Sequence, residues 1–278
     1  GGVGMILVDG PADTGPVGDI HSVPTVHLKA ADATPVKAYA ATAGATASIS
    51  PFTNQSKPAP VMAGFSSRGP NMGDANILKP DLTAPGVDVI ASVTPALTPA
   101  QRDGVADGSF VPGEAYSSYQ GTSMSSPHVA GIALLLRQLR PEWSPAAVKS
   151  ALMTTGFTSL NDNLAGGQSG LLPWAQGAGH VGPNKAANPG LVYDAGKAEF
   201  IQYQCKVNKA LVSPASDCTT YGTLDETYNL NLPSITAGQI QQSVTIRRTV
   251  TNVSGNEATY NATASVPNFT TVVSPSTL

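Results

Sequence analysis

The stretch Gln120–Gly131, QGTSMSSPHVAG, continues directly into the apolar run IALLLRQL. The apolar residues predict a helix over about Ser123 to Leu139. Because they occupy almost every side of this helix, we expect it to be central and enclosed. A residue at a helix start lies beside free backbone N–H groups and the positive end of the helix dipole. Gly121 allows a sharp turn and a close approach of a substrate backbone there. The stretch therefore puts three serines, Ser123, Ser125 and Ser126, at the helix start, and leaves open which of them does chemistry.

A second helix is predicted in WSPAAVKSALMTTG. Ser144 suits the N-cap position, Pro145 the first helical position, and Gly156 the end of the helix. The apolar positions of this segment follow helical spacing: Ala147, Val148, Ala151 and Leu152. We therefore expect two helices in succession, joined by a short link that contains Pro141.

The segment before these helices alternates turn residues with short apolar runs. Val87 to Val93 is such a run, and it follows a tight turn at Pro85 and Gly86. A run of this kind is typical of a strand in a parallel sheet. We expect an α/β fold for the centre of the chain, with Ser123 at the carboxyl edge of a parallel sheet.

Composition narrows the classes of function. Only 12% of the 278 residues are charged, whereas 28 glycines and 23 prolines predict a turn-rich protein. A net charge of −3 without a basic stripe argues against a nucleic-acid partner, and no apolar run is long enough to span a membrane. Cys205 and Cys218 match no metal-ligand spacing, so neither a metal nor a cofactor is expected. A disulfide between them and a pair of buried thiols both remain open.

The motif GTSMSSPHVAG resembles the nucleophile motif of the subtilisin-like serine proteases, the subtilases of peptidase family S8. Segments on both sides resemble the plant-type branch of that family: FSSRGPN, KPDLTAPGVDVIAS, PEWSPAAVKSALMTT and GAGHVGPNKAANPGLVYD. The resemblance spans roughly residues 61–195. It implies that Ser123 is the nucleophile and that Ser125 and Ser126 are its neighbours at the helix start. The supporting residues of the motif are Gly121, Thr122, Met124, Pro127 and His128.

The resemblance also implies a division of the chain. Residues 1–50 resemble the C-terminal tail of a β-rich protease-associated insert, and residues 51–196 the C-terminal half of a subtilisin-like catalytic domain. Residues 197–225 are interpreted as a linker, within a stretch to residue 230 that the sequence indicates is a linker or an irregular segment. Residues 226–278, with RTVTNVSG and other Thr/Val-rich segments, resemble a truncated fibronectin-III-like β-sandwich. We expect both ends of the chain to be cut within domains.

The rest of a subtilase triad is missing from this sequence. The family takes its Asp, its His and its oxyanion Asn from upstream segments, and no GHGTH occurs here. The ADTGP at Asp13 to Gly15 does not follow an apolar strand, and we interpret it as a surface turn rather than the triad Asp. His128 lies five residues along the helix from Ser123, so we interpret it as a packed helix histidine rather than the base. His180 is expected to pack or to hydrogen-bond near a turn, and His21 and His27 also lack the motif.

Two further groups of residues have a functional and a plain interpretation. Arg68 and Asp81 are interpreted as loop charges, with a substrate-facing pair as the alternative. Four asparagines begin N-x-Ser/Thr sequons, which are glycosylation acceptors but also arise freely in Asn/Thr-rich strand edges. These asparagines are Asn54, Asn252, Asn261 and Asn268.

Two hypotheses of function follow. In the first, the chain is the C-terminal portion of a secreted serine endopeptidase that cleaves peptide bonds through an acyl-enzyme on Ser123. Its partners would be protein or peptide substrates and the upstream part of the same enzyme, without which it is expected to be inactive. In the second, the same missing triad marks a non-catalytic binding or assembly module, or a fragment of a pseudoenzyme.

Overall fold

The structure is a computed structural model that describes residues 2–10, 21–51, 53, 59–93, 97–111, 116–158 and 172–278. The strands of this part are β1 Met5–Val8, β2 Thr25–Leu28, β3 Val89–Ser92, β4 Tyr116–Tyr119, β5 Leu191–Val192 and β6 Thr251–Asn252. Its α-helices are α1 Ala33–Ala40, α2 Pro99–Asp107, α3 Thr122–Leu139, α4 Pro145–Thr154, α5 Leu172–Gln176, α6 Pro183–Ala186, α7 Lys197–Asn208 and α8 Asp217–Tyr221. Short 3-10 turns lie at Ala30–Asp32, Lys209–Leu211 and Thr227–Asn229. No helix among the described residues is long and apolar enough to cross a membrane.

The two helices predicted around the serine motif are both present. α3 begins one residue before Ser123 and ends at Leu139, and α4 begins at Pro145. The Ser144 hydroxyl accepts a hydrogen bond from the backbone N–H of Ala147 at 3.0 Å, so the predicted N-cap is confirmed. The four apolar positions of α4 are buried, as their spacing predicted. Together with residues from α3, α6 and β5 they form the largest apolar cluster of the described part.

The prediction that α3 is enclosed is wrong for this chain. Leu136 is the one buried residue of the helix, and it packs with α4 in the core. The side chains of Leu134, Leu135 and Leu139 are 70%, 63% and 55% exposed. We call these three leucines the outer face of α3. They are exposed because α3 packs against the core cluster along one side, whereas no described element covers the other.

The sheet beside α3 also differs from the prediction. β3 forms within the predicted apolar run, but it pairs antiparallel with β4, with Val89 opposite Tyr119. β4 ends just before α3 begins, so Ser123 follows a strand of an antiparallel pair rather than a parallel one. Parallel pairing occurs instead between β1 and β2, and at an isolated bridge between Thr83 and His180.

Residues 197–225 are not irregular, contrary to the sequence interpretation. They contain α7, a 3-10 turn and α8, and a disulfide joins Cys205 to Cys218 with their Cα atoms 5.7 Å apart. Ile201 and Val212 pack with the disulfide in a small core of their own. The helical pattern was weak in the sequence because α7 buries only Ile201 and Cys205, one turn apart.

Residues 226–278 contain little regular pairing, although the structure describes all of them. β6 pairs antiparallel with β5, and the backbones of Tyr260 and Leu278 exchange two hydrogen bonds of 2.9 Å. The Arg248 guanidinium is partly buried and donates hydrogen bonds to backbone carbonyls of Tyr228, Leu232 and Ser234. The β5–β6 pair joins Thr251 and Asn252 to the segment before α7, and the Arg248 bonds join the chain at that residue to residues 228–234. The complete β-sandwich remains a prediction.

Candidate active site

Ser123 is the second residue of α3, and its side chain is exposed. The helix is preceded by Gly121, whose φ of 153° and ψ of 160° form a conformation that residues with a Cβ rarely adopt. The carbonyl of Gly121 accepts a hydrogen bond from the backbone N–H of Met124 at 3.0 Å. Gly121 therefore makes the sharp turn that the sequence predicted, from extended chain to helix, and the Ser123 side chain that follows it is exposed.

The start of α3 is attached to a turn that contains Ala84, Pro85 and Gly86, which we call the Ala84–Gly86 turn. The backbone N–H of Gly121 donates to the carbonyl of Gly86 at 2.8 Å. The Ser125 hydroxyl donates to the carbonyl of Ala84 at 3.0 Å. The turn recognised in the sequence thus serves as the support on which the serine motif rests.

The Ser123 hydroxyl has no hydrogen-bonded base within the described part of the chain. The nearest histidine in sequence, His128, donates from Nδ1 to the Met124 carbonyl of its own helix at 2.7 Å. Because a carbonyl oxygen can only accept, this bond assigns the proton to Nδ1. His128 is also exposed, so the prediction that it packs is wrong, while the structure gives it no contact with Ser123.

The other three histidines, His21, His27 and His180, hydrogen-bond to groups other than Ser123. His180 hydrogen-bonds from Nδ1 to the Val181 carbonyl at 3.1 Å and stacks on Phe157 with the ring centres 4.9 Å apart. Its backbone pairs with both Phe157 and Thr83. His180 therefore packs and hydrogen-bonds in a bridge between chain segments, as predicted.

A cluster that sequence reasoning missed lies at the end of the β1–β2 pair. His27 contacts Oδ1 of Asp9 through Nδ1 at 2.7 Å, and its Nε2 lies 2.8 Å from Nε2 of His21. The side chains of His27 and Asp9 are 7% and 4% exposed. No motif links positions 9, 21 and 27, and only the parallel register, with Leu7 opposite His27, brings them together. The ADTGP segment at Asp13 to Gly15, which we interpreted as a surface turn, lies outside the described residues.

The predicted loop charges Arg68 and Asp81 have separate partners. Asp81 is bonded to the ammonium groups of Lys79 at 2.6 Å and Lys149 at 2.9 Å, while Arg68 donates to the Ser66 carbonyl at 2.7 Å. Burial raises the pKa of Asp81, but the hydrogen bonds and charges of the two lysines outweigh it and leave this pKa below its ordinary value. Asp81 is therefore a paired loop charge, and its bond to Lys149 connects α4 to the segment before the Ala84–Gly86 turn.

Three of the four sequons lie in the described part, and Asn54 lies outside it. The amide of Asn252 donates to the Asn256 carbonyl at 2.8 Å. Asn261 accepts from the Thr277 hydroxyl at 3.0 Å, and Asn268 is an exposed residue with a φ of 67°. All three are at the surface, so both interpretations of the sequons stand.

A cleft of about 370 Å³ lies between the end of α4 and α6, away from the serine motif. Its lining is mixed polar and apolar and includes Thr154, Thr155, Asn184 and Pro189. The described residues include no group of three His, Cys, Asp or Glu side chains placed to hold a metal ion.

Comparison with known proteins agrees with the serine motif. A model of the subtilase family of peptidases matches residues 19–189, and a model of a fibronectin type-III domain matches residues 229–278. The chain belongs to the subtilase family. The subtilase match includes the whole of the serine motif, α3 and α4.

Similar proteins from Arabidopsis thaliana carry the name subtilisin-like protease. SBT1.3 is 39% identical over 286 residues, which cover 95% of this chain and 36% of that protein. SBT5.4 is 44% identical over 218 residues, which cover 76% of this chain and 27% of that protein. SBT5.3 is 39% identical over 283 residues, which cover 96% of this chain and 35% of that protein. The chain thus spans about a third of the length of the curated relatives that it matches.

Proposed function

We propose that this chain is the C-terminal portion of a secreted serine endopeptidase that hydrolyses peptide bonds in proteins through an acyl-enzyme on Ser123. The observation that carries the proposal is the exposed hydroxyl of Ser123 at the start of α3, within a motif that the subtilase match covers. The names of the relatives support the protease activity, and the family resemblance supports secretion.

The helix start suits the first chemical step. The Ser123 oxygen attacks the carbonyl carbon of the peptide, and the base that takes its proton comes, by resemblance to the family, from the upstream part of the enzyme. The carbonyl oxygen becomes an oxyanion, which the Ser123 N–H and the dipole of α3 stabilise. The C–N bond breaks, the amine leaves with the proton, and water then hydrolyses the ester to regenerate Ser123.

The outer face of α3 supports the part of the proposal that concerns the missing portion. Burying a leucine side chain stabilises a protein by about 1.5–3 kcal/mol, so three adjacent leucines exposed on one helix are unusual for a complete domain. We propose that the upstream part of the same protease covers this face. The chain alone would then lack both the base and the cover, and we expect it to be inactive.

The proposed division of the chain follows the same scheme. Residues 1–50 are proposed as the tail of a protease-associated insert, residues 51–196 as the C-terminal half of the catalytic domain, and residues 197–225 as the connection. Residues 226–278 are proposed as part of a fibronectin-III-like sandwich, supported by the match over residues 229–278. The disulfide and helices of residues 197–225 would make this connection a structured one.

A fluorophosphonate probe, which reacts with activated serines, tests the proposal. We expect the complete protein to be labelled at Ser123, its Ser123→Ala variant to remain unlabelled, and the 278-residue chain to react far more slowly. An unlabelled complete protein would exclude the protease. Labelling of the chain alone at the rate of the complete protein would exclude the claim that the chain is inactive.

The second candidate is a non-catalytic binding or assembly module. It is favoured by the absence, within the described part, of any base bonded to Ser123. The coding sequence upstream of Gly1 separates the two candidates. A buried-strand DTG motif followed by GHGTH would support the protease, and an intact gene without them would support the module or a pseudoenzyme.

A further inference from the structure

The three serines of the motif differ in what their hydroxyl groups contact. Ser125 is partly buried and donates a hydrogen bond to the Ala84 carbonyl, 41 residues away in sequence. Ser123 and Ser126 are exposed, and neither hydroxyl has a partner in the described part of the chain. The family motif alone does not explain this difference, because it assigns chemistry to Ser123 and no particular task to Ser125.

The Ser125 bond and a second bond stand on either side of Ser123. The backbone N–H of Gly121, two residues before Ser123, donates to the Gly86 carbonyl at 2.8 Å. The Ser125 hydroxyl, two residues after it, donates to the Ala84 carbonyl at 3.0 Å. Both acceptors belong to the Ala84–Gly86 turn, so the first turn of α3 is fixed to one support at two points that bracket Ser123.

The turn and α3 are in close contact at Gly86. A Cβ atom at Gly86 would lie 2.2 Å from Oγ of Ser125 and 2.9 Å from the carbonyl oxygen of Gly121. Atoms cannot approach so closely, and the Ser125 hydroxyl therefore fills the gap between helix and turn. Removing it would leave both a small void and a part-buried carbonyl without its donor.

The support is itself anchored in the core. The backbone of Thr83, which leads into the turn, donates to the Gly179 carbonyl and accepts from the N–H of Val181, each at 2.9 Å. Val181 is buried in the core cluster, and Ala84 packs against the same cluster. The hydroxyl of Ser125 thus links the start of α3 to a segment that is held by the protein interior.

We propose that Ser125 is a positioning residue, which holds the start of α3 so that the Ser123 oxygen and N–H stay in line with the substrate carbonyl. The inference rests on the proposed function of Ser123. Shifts of the order of 1 Å in a reacting group cost roughly 100-fold in rate, so a loosened helix start slows the chemical step. Substrate binding depends mainly on other residues and changes less.

The test compares Ser125→Ala with Ser126→Ala in the complete protease. We expect Ser125→Ala to lower kcat about 10- to 100-fold with little change in KM, and to slow fluorophosphonate labelling of Ser123 by a similar factor. Ser126→Ala, which removes an exposed hydroxyl one residue away, should match the wild type. Ser125→Thr keeps the donor and should recover most of the rate. Ser125→Cys, a weak donor of similar shape, should fall between and serves if the alanine variant does not fold.

Three results would overturn the inference. One is a folded Ser125→Ala or Ser125→Cys enzyme that labels at the wild-type rate. Another is an equal loss of kcat in Ser126→Ala, and the third is a loss in Ser125→Ala that appears only in KM. A wild-type enzyme that fails to label at Ser123 is a different result, because it removes the proposed function itself before any variant is compared.

Discussion

Gly86 shows how closely the support and the nucleophile helix are fitted. Its missing Cβ would overlap Oγ of Ser125, so the turn and the helix can meet only because the residue is glycine. This glycine belongs to the APG segment that the sequence already marked as a turn. Glycine is therefore required at this position by the close approach of α3 and not only by the turn.

We predict that Gly86→Ala lowers the free energy of unfolding by about 1–3 kcal/mol, the usual cost of overpacking. Adding Ser125→Ala removes the atom at 2.2 Å, so the double variant should lose less than the sum of the single losses. Urea unfolding of the four proteins of this cycle measures the coupling. Gly131→Ala is the matched control, because a Cβ there meets nothing within 4 Å and a helix glycine replaced by alanine gains roughly 0.5–1 kcal/mol. Strictly additive losses would contradict the predicted clash.

The ion pairs of Asp81 should make the free energy of unfolding depend on pH in the acid range. Burial raises its pKa, but the bonds from Lys79 and Lys149 lower it further, so the net pKa in the folded state is below its unfolded value of about 3.9. The contribution of the group is therefore complete above about pH 4 and is lost as pH falls through the lower folded pKa.

The variant Asp81→Asn should be less stable than the wild type at neutral pH, and the difference should shrink as the pH falls below about 4. Thermal unfolding over this range measures it. Lys149→Met removes one of the two partners and should reproduce part of the effect. A difference between Asp81→Asn and wild type that stays constant down to pH 2 would show that the ion pairs are not its source.

The two helices of the core were the part of the fold most open to prediction. Their apolar spacing, the Ser144–Pro145 start and the Gly156 end are local signals. Each one acts within a few residues of the helix that it specifies. α7 escaped prediction because a helix with two buried residues has little apolar pattern. The direction of β4 also escaped, since strand pairing depends on contacts between segments separated along the chain.

We predict that Ser144→Ala costs about 1 kcal/mol, because it removes the hydrogen bond that the N–H of Ala147 donates at the start of α4. The Ser144 hydroxyl also contacts Asp194, so Asp194→Asn is needed to separate the two contributions. Ser144→Thr preserves the cap and should remain near the wild type. The midpoint of urea unfolding measures all three, and an unchanged midpoint in Ser144→Ala would argue against the cap.

In the described part of the chain, the largest apolar cluster lies around α4, and the neighbouring α3 has an exposed apolar face. α4 lies in the middle of the core, whereas the outer face of α3 has no cover among the described residues. In the relatives, a chain of this size makes up about a third of the protein. The two observations together support the proposal that the rest of the enzyme covers the outer face.

We predict that replacing Leu134 and Leu135 by Gln has different effects in the 278-residue chain and in the complete protein. The 278-residue chain should become more soluble without loss of stability, because both side chains are already 70% and 63% exposed. The complete protein should lose several kcal/mol, since each leucine would be buried there. Sedimentation of the chain and thermal unfolding of the complete protein measure the two effects. Leu136→Ala, in the core, should destabilise both, and an unaffected complete protein would show that the outer face stays exposed.

Local patterns in the sequence predicted α3, α4, the cap at Ser144, the family and the nucleophile candidate Ser123. The packed structure added the antiparallel β3–β4 pair, the disulfide, the Asp9–His27–His21 cluster and the anchoring of Ser125. The difference is one of distance along the chain. Helix spacing and capping are interactions over a few residues, whereas the Ser125–Ala84 bond joins residues 41 apart, and nothing in either segment alone indicates that they meet.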